Sequence, residues 1–443
     1  MKIRVSHHHN PAMADPLSRA VRFRPVRPSW IAAFLVAVAL LAGAVLSGFG
    51  SFRASDWVPG EAHAAPRTLR ASIAEGRQPG GGPTRIDYGR IDTRLQRLIG
   101  QDGMAGLAVA IVENGELRFV KGYGRTGADA TDPVTANTVF RWASLSKGVA
   151  ATMVAELADQ KRLSLSDPVA RWSPSLKLPG GSEHRVTVAN LLSHRLGIVK
   201  NAYDDKLEEG IDPRLIRRML AQLQPYCPPG TCHAYENVAY DAASEVVQNA
   251  THQSYGDALR ERLFVPLGML SASTTRLGLE SAPSWARPHR GSRILTVTDA
   301  YYRIPAAGGV NSSIFDLGLW MRAQMGEMPG VLPMRVLDTI HMPRVATDRH
   351  GYTAADRQFT AQRYGLGWRD SVYDGHRIVF HRGAVDGYRS LIMFDPVLRS
   401  GVAMLWNSET SKPAPLGNEV LDMLYARPAT DWLGLDKPQR RRG

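Results

Sequence analysis

Ser144 and Lys147 are the residues whose types and spacing first point to chemistry. They close the stretch Arg141-Trp142-Ala143-Ser144-Leu145-Ser146-Lys147. Residues three apart on a helix share a face, so this spacing can set a hydroxyl beside an amine. A serine becomes a nucleophile when a neighbouring base or amine handles its proton. The chain has nine lysines, and only Lys147 has a serine three positions before it. The same pattern also fits an ordinary helix start, with Ser144 as N-cap and Lys147 in solvent. Two further short motifs carry reactive groups. Tyr235-Glu236-Asn237 offers a phenol and an amide two positions apart. His381-Arg382-Gly383 offers an imidazole followed by a glycine that can let a ligand approach the backbone. Taken singly, Tyr235 reads as a half-buried aromatic and His381 as a strand-end histidine. His194 reads as a capping or packing histidine rather than a functional one.

The elements that must hold these residues follow from periodicity. Val149, Met153 and Leu157 recur every four residues after Lys147 and predict a helix with one apolar face. An amphipathic helix is predicted over 87–99. Strands at 107–112 and 117–121 join around Asn114-Gly115, a strong hairpin signal. From Ser144 to about Met269 the pattern is mostly helical, with helices at 186–194, 241–249 and 255–263. Residues 305–313 read as a loop entering a helix, with Ser313 as N-cap and Asp316 in the first turn. The glycine pair in that loop is not a phosphate loop, because no Gly-Lys-Ser/Thr follows. Strands are predicted at 376–381, 388–394 and 402–406. Strands at both ends around a helical middle predict an α+β fold. In it, an antiparallel sheet is flanked by helices and accompanied by a mostly helical subdomain.

Charge argues about location rather than chemistry. The chain of 443 residues carries a net +13, which invites a nucleic-acid reading. The surplus sits at the ends. Residues 1–85 hold eleven Lys/Arg against four Asp/Glu, and residues 431–443 hold four against two, leaving +4 for the long middle. That distribution fits membrane orientation and a solvated tail, and no nucleic-acid partner is expected. No charge occurs between Arg27 and Arg53, and the segment 30–49 is almost wholly apolar. A bilayer is spanned by about 20 such residues. Arginines 19, 22, 24 and 27 precede it, so the N-terminus stays in the cytoplasm and the rest is exported. The expected location is the bacterial inner membrane with a periplasmic domain. The rival is a cleaved signal peptide, which would leave a secreted or periplasmic protein. The chain therefore divides into a basic leader at 1–29, a transmembrane anchor or signal segment at 30–49, a flexible linker at 50–85, a folded domain at 86–430 and a basic tail at 431–443.

Cys227 and Cys232 are the two cysteines, and they flank a Pro-Pro-Gly-Thr turn. In an oxidising compartment they can form a local disulfide. Free thiols are the main alternative. Zinc held by Cys227, Cys232 and His233 is a weak third reading, since no second ligand pair has metal-site spacing. No metal or organic cofactor is expected.

Ser-x-x-Lys, then Tyr-x-Asn, then a basic residue-x-Gly, in this order, resembles the serine β-lactamase and penicillin-binding protein superfamily. The chain is most similar to its class C β-lactamase-like group, which also holds esterases and peptidases. The likeness runs from about residue 88 to 427. It includes Leu163-Ser-Leu-Ser-Asp167-Pro168-Val169, Leu191-Leu192-Ser193-His194, Pro266-Leu267-Gly268-Met269, Ala307-Gly308-Gly309 and Tyr364-Gly365-Leu366-Gly367-Trp368. The resemblance implies a β-lactamase-like fold and a serine hydrolase. Ser144 would be the acylated nucleophile, Lys147 the amine beside it and Tyr235 the general base. Asn237 would orient Lys147 and substrate. His381 and Gly383 would stand in the family's Lys-Thr-Gly motif, and the N–H groups of Ser144 and Ala384 would form the oxyanion hole. A cation beside a phenol favours the phenolate, which makes such a cluster able to move a proton. The histidine departs from the Lys-Thr-Gly of class C β-lactamases, whose cation holds a β-lactam carboxylate. The expectation is therefore amide or ester hydrolysis of a small-molecule or peptide-like substrate rather than efficient antibiotic hydrolysis. The competing reading is a catalytically weak penicillin-binding or scaffold protein on the same fold.

Overall fold

Asp87 starts the first helix because its carboxylate accepts the N–H of Arg90 at 2.9 Å, satisfying a donor the helix leaves open. That helix, α1 (Tyr88–Ile99), buries Ile91, Leu95 and Leu98 along one stripe. It belongs to a computed structural model that describes residues 83–348, 351 and 353–436. The basic leader, the apolar segment at 30–49, the linker up to residue 82 and residues 437–443 lie outside the described residues. Among the described residues, no helix is long and apolar enough to cross a membrane.

Strands β1 (Gly106–Glu113) and β2 (Glu116–Gly124) form the predicted hairpin. Asn114 and Gly115 both take positive φ, 53° and 80°, as a two-residue turn between twisted strands requires. After β3 (Val139–Arg141) a single 3₁₀ turn, Ala143–Leu145, leads into α2 (Ser146–Asp159). A mostly helical region follows, including α3 (Ala242–Thr251). The segment expected as a loop at 305–313 holds a short helical turn, Pro305–Gly308, and then a strand, β4 (Asn311–Ser313), which pairs with β3. The side chain of Ser313 caps α4 (Ile314–Gln324) as expected, accepting from Asp316. The rest of the chain is α5 (Met334–His341), β5 (Val345–Ala346), β6 (Phe359–Tyr364), β7 (Arg369–Tyr373), β8 (His376–Val385), β9 (Tyr388–Asp395), β10 (Ser400–Trp406) and α6 (Leu416–Leu424).

Eight strands make one antiparallel sheet in the order β2-β1-β10-β9-β8-β7-β6-β5. The two ends of the domain meet at β1 and β10, from Leu107 opposite Trp406 to Val112 opposite Gly401. Alternation along β1 divides the core. Ala108, Ala110 and Val112 join the layer that holds α2 and α4, while Leu107, Val109 and Ile111 join the layer of α1 and α6. The sheet is thus covered on both faces, which is the expected α+β arrangement. Helix α2 departs from the predicted single apolar face. Val149, Ala150, Ala151, Met153 and Val154 are all fully buried. Its small residues let neighbours press in on every side, and a Cβ on Gly148 would lie 2.9 Å from the Trp368 ring.

The start of the tail also departs from expectation. Residues 431–436 dock on α1 instead of extending into solvent, because Arg94 pairs with Asp431, Asp436 and Glu419. At the other end, Glu113 accepts hydrogen bonds from Thr84 and from the Arg85 N–H, so the last linker residues are held to β1. Cys227 and Cys232 form a disulfide. That pairing removes both thiolates that the zinc reading needed.

Candidate active site

Ser144 sits in the 3₁₀ turn, two residues before α2 begins, so the helix starts later than the spacing alone indicates. The turn is held on three sides. The Trp142 N–H donates to the Val310 carbonyl at 2.8 Å. The Ser390 hydroxyl donates to the Trp142 carbonyl at 2.7 Å. The Ser146 hydroxyl donates to the Ala143 carbonyl at 2.7 Å and accepts from the Val310 N–H at 3.0 Å. Ala143 takes φ of +50°. A non-glycine residue held there costs about 1–3 kcal/mol, and such strain recurs where a reactive group is presented. Ser144 is half-buried, while Lys147 behind it is fully buried.

The Lys147 amine donates to three acceptors. They are the Asn237 amide oxygen at 2.7 Å, the Ala307 carbonyl at 3.0 Å and the Ser144 hydroxyl at 3.4 Å. Three acceptors match the three N–H donors of an ammonium. The contact to Ser144 is long, as catalytic hydrogen bonds often are without substrate. The same amine lies 4.7 Å from the centre of the Tyr235 ring. Among the described residues, the Tyr235 hydroxyl makes no hydrogen bond. The Lys147 backbone is fixed as well, by the Tyr240 hydroxyl at 2.9 Å and by the close approach of Gly367. Gly367 has φ of +72°, and a Cβ there would lie 2.5 Å from the Lys147 carbonyl oxygen.

Asn237 is oriented by Asp204, a residue the sequence reading missed. The amide nitrogen donates to the Asp204 carboxylate at 2.6 Å, which turns its oxygen toward Lys147. Burial raises the Asp204 carboxyl above its usual range, opposed by the Asn237 hydrogen bond and the Lys147 charge. Between Tyr235 and Asn237, the Glu236 side chain points into the protein. Burial pushes its carboxyl well above the usual range, and one oxygen has no partner.

His381 arrives beside this cluster but is 2% exposed. One ring nitrogen lies 2.9 Å from the Arg382 carbonyl, which only accepts, so that nitrogen carries hydrogen. The other lies 3.1 Å from the Tyr364 hydroxyl. Arg382 turns away to pair with Asp356 at 2.7 Å. The close approach that Gly383 permits is to the chain itself. A Cβ there would lie 2.1 Å from the Ser390 hydroxyl oxygen and 2.3 Å from the Trp142 carbonyl oxygen. Strand β7 pairs with β8 only as far as Phe380, so the edge from His381 to Val385 is left free for the serine turn. Ala384 is exposed on that edge.

His194 is a packing residue, as expected, at the centre of an aromatic cluster. Its ring lies 4.4 Å from that of Tyr235 and 4.9 Å from those of Tyr240 and Tyr364. Its Nδ1 accepts the Glu236 N–H at 3.1 Å. Burial, with His233 and Lys147 nearby, holds it well below the usual histidine range. With φ of +57° and Nδ1 held by this N–H, its ring packs against Tyr235.

A covered antiparallel sheet, with a strained serine turn set against its free edge over a buried amine, defines a β-lactamase-like fold of the serine-hydrolase type. The chain belongs to the beta-lactamase family, whose model matches residues 91–426. Among curated relatives, Unguisins hydrolase ungD' of Aspergillus campestris is 27% identical over 327 residues, covering 69% of this chain and 58% of that protein. Protein flp of Staphylococcus aureus is 24% identical over 324 residues, covering 72% of this chain and 62% of that protein. The chain thus spans about three fifths of the length of these relatives. The octameric penicillin-binding protein homologue from Pyrococcus abyssi superposes with a TM-score of 0.70 at 23% identity, covering 79% of this chain and 80% of that one.

Proposed function

We propose that this chain is an exported serine hydrolase of the class C β-lactamase-like group, which cleaves amide or ester bonds through an acyl-enzyme on Ser144. The observation that carries the reading is the buried Lys147 amine, held by Asn237 and Ala307 within 3.4 Å of the Ser144 hydroxyl. As an ammonium, Lys147 has no lone pair to take the serine proton. Tyr235, whose ring the amine faces, is the base in its phenolate form, which a neighbouring cation favours, and takes the proton as Ser144 attacks the carbonyl carbon. The N–H groups of Ser144 and Ala384 hold the oxyanion, a contribution worth about 10²–10³-fold per donor. Collapse breaks the bond to the leaving group, which receives the proton from Tyr235. Water then attacks the acyl carbon and gives a proton to Tyr235, which passes it to the Ser144 oxygen as the acyl–oxygen bond breaks. Proton handling of this kind contributes about 10²–10⁴-fold. The hydrolase name of one relative fits this chemistry.

The burial of His381 favours ester and amide donors over β-lactams, because the site lacks the lysine that a Lys-Thr-Gly motif supplies. Residues 30–49 tether the domain to the inner membrane, or direct it there as a signal. The Cys227–Cys232 bridge fits an oxidising compartment outside the cytoplasm. Intact-mass measurement after a fluorophosphonate or penicillin tests the assignment. The expected result is one adduct on Ser144, lost in Ser144→Ala together with turnover of nitrophenyl esters and D-amino acid amides. Adduct and turnover that persist in Ser144→Ala would overturn it. Fractionation and N-terminal sequencing test the tether.

A further inference from the structure

Arg369 is the feature that the mechanism above leaves unused. It is 8% exposed, yet among the described residues its guanidinium has neither a hydrogen bond nor an ion pair, only two aromatic faces. The carbon of the guanidinium lies 5.7 Å from the Tyr235 ring centre and 5.6 Å from that of Tyr364. A cation withdrawn this far from water needs an anion or several hydrogen bonds to offset its lost hydration. Arg217, buried to 2%, shows one way that need is met: it pairs with Asp241 and Glu245.

The missing partner has a place to sit. Arg369 and Tyr235 both line a cavity of about 360 Å³, with Lys200 at its rim and His233, Tyr226 and Asp348 around it. Asp348 is the one acid among these lining residues, and it pairs with neither Arg369 nor Lys200. Burial and Arg369 hold His233 at about 4, so it is neutral and adds no competing charge. Two cations against one acid leave the cavity positive. The two rings flank the guanidinium, whose fork matches the two oxygens of a carboxylate.

We infer that Arg369 holds a free carboxylate on the acyl portion of the substrate, so that this site selects anionic amide or ester donors. The inference rests on the hydrolase reading, since the cavity matters to catalysis only through its shared wall at Tyr235. It also supplies the anion contact that the His381 motif does not.

The test uses the full chain and two esters that differ only in charge, the mono-4-nitrophenyl ester of adipic acid and its methyl ester. The expected wild-type kcat/KM favours the free acid by about tenfold or more, as a charge-assisted hydrogen-bonded contact gives. In Arg369→Gln that ratio falls to near one, and in Arg369→Lys, which keeps the charge without the fork, it is intermediate. The ratio cancels any shared effect of losing Arg369 beside Tyr235. A wild-type ratio near one, or a ratio unchanged in Arg369→Gln, would overturn the inference while ester turnover leaves the hydrolase reading standing. Calorimetric titration of adipate reads the subsite without turnover. Binding lost in Arg369→Gln supports it, and no binding to wild type overturns it. Fluorophosphonate labelling of Ser144 in the same samples reports separately on the hydrolase reading.

Discussion

The Asp204 carboxylate accepts from the Asn237 amide nitrogen at 2.6 Å, and this contact decides which end of the amide meets Lys147. Asp204 touches no reacting atom, so it is a positioning residue. Asp204→Ala frees the amide to turn, and Lys147 loses a fixed acceptor. A misplacement of about 1 Å at such a centre can cost about 10²-fold. The expected outcome is a fall in kcat of about 10- to 100-fold with little change in KM. Asp204→Asn, which keeps an acceptor oxygen, should recover much of the loss. Steady-state kinetics on one ester checks this, and equal damage from both variants would contradict the orienting role.

How far the site was legible in the sequence depends on how local each contact is. Ser144 and Lys147 stand three apart, so their meeting follows from one turn of chain. Tyr235 and Asn237 carried no separate signal and entered through motif order. Asp204 and the Ala307 carbonyl were invisible, because a lone acid and a backbone oxygen acquire meaning only when tertiary packing delivers them to an amine. The fold shows the same division. The Asn114-Gly115 hairpin was readable from two residues. Strands β6 and β7 were not, because Arg363, Arg369 and Asp370 break the apolar alternation. Asp370 is buried between Arg363 and Arg377, so an ion pair across the sheet stands where the pattern expects apolar side chains.

Gly383 is the point where β8 meets the serine turn. Gly383→Ala drives a methyl group into the Ser390 hydroxyl and the Trp142 carbonyl. The hydroxyl can be removed and the carbonyl cannot. Gly383→Ala should therefore cost roughly 1–3 kcal/mol of stability, as overpacking does, and lower kcat about 10-fold or more by shifting Ser144. Adding Ser390→Ala should not restore activity. Full rescue by that second change would show that the backbone contact is unimportant.

The Cys227–Cys232 bridge closes a short loop just ahead of Tyr235. The loop is stitched to the neighbouring chain by Tyr226 to Gly197 and Gly230 to Arg195, each at 2.8 Å. Chain-entropy reasoning gives a loop this short about 2 kcal/mol of stabilisation. Cys227→Ser with Cys232→Ser should lower Tm, and a reductant should lower wild-type Tm to match while leaving the double variant unmoved. Equal Tm values for oxidised and reduced wild type would contradict a stabilising role.

His341 gives the protein an acid-sensitive term. Its ring is buried between Trp368 and Phe394 and meets the Gln324 side-chain oxygen at 3.0 Å. Burial, with Arg377 nearby, lowers it to about 3. An unfolded histidine binds a proton below about 6.5. Between about 6.5 and 3 the unfolded chain therefore holds a proton that the folded chain refuses, and stability falls as pH falls. At pH 5 the loss is about 2 kcal/mol for such a group. His233, held at about 4, and His194 act in the same sense. Asp204 and Glu236 act in the opposite sense, because burial raises their carboxyls and the folded chain takes up their protons first. The total slope is thus a balance, and the clean measurement is a difference. Denaturant unfolding of wild type and His341→Gln at pH 7 and pH 5 should show a smaller pH dependence in the variant, by about 2 kcal/mol. Identical pH dependence in the two proteins would mean that His341 is not held neutral by its surroundings.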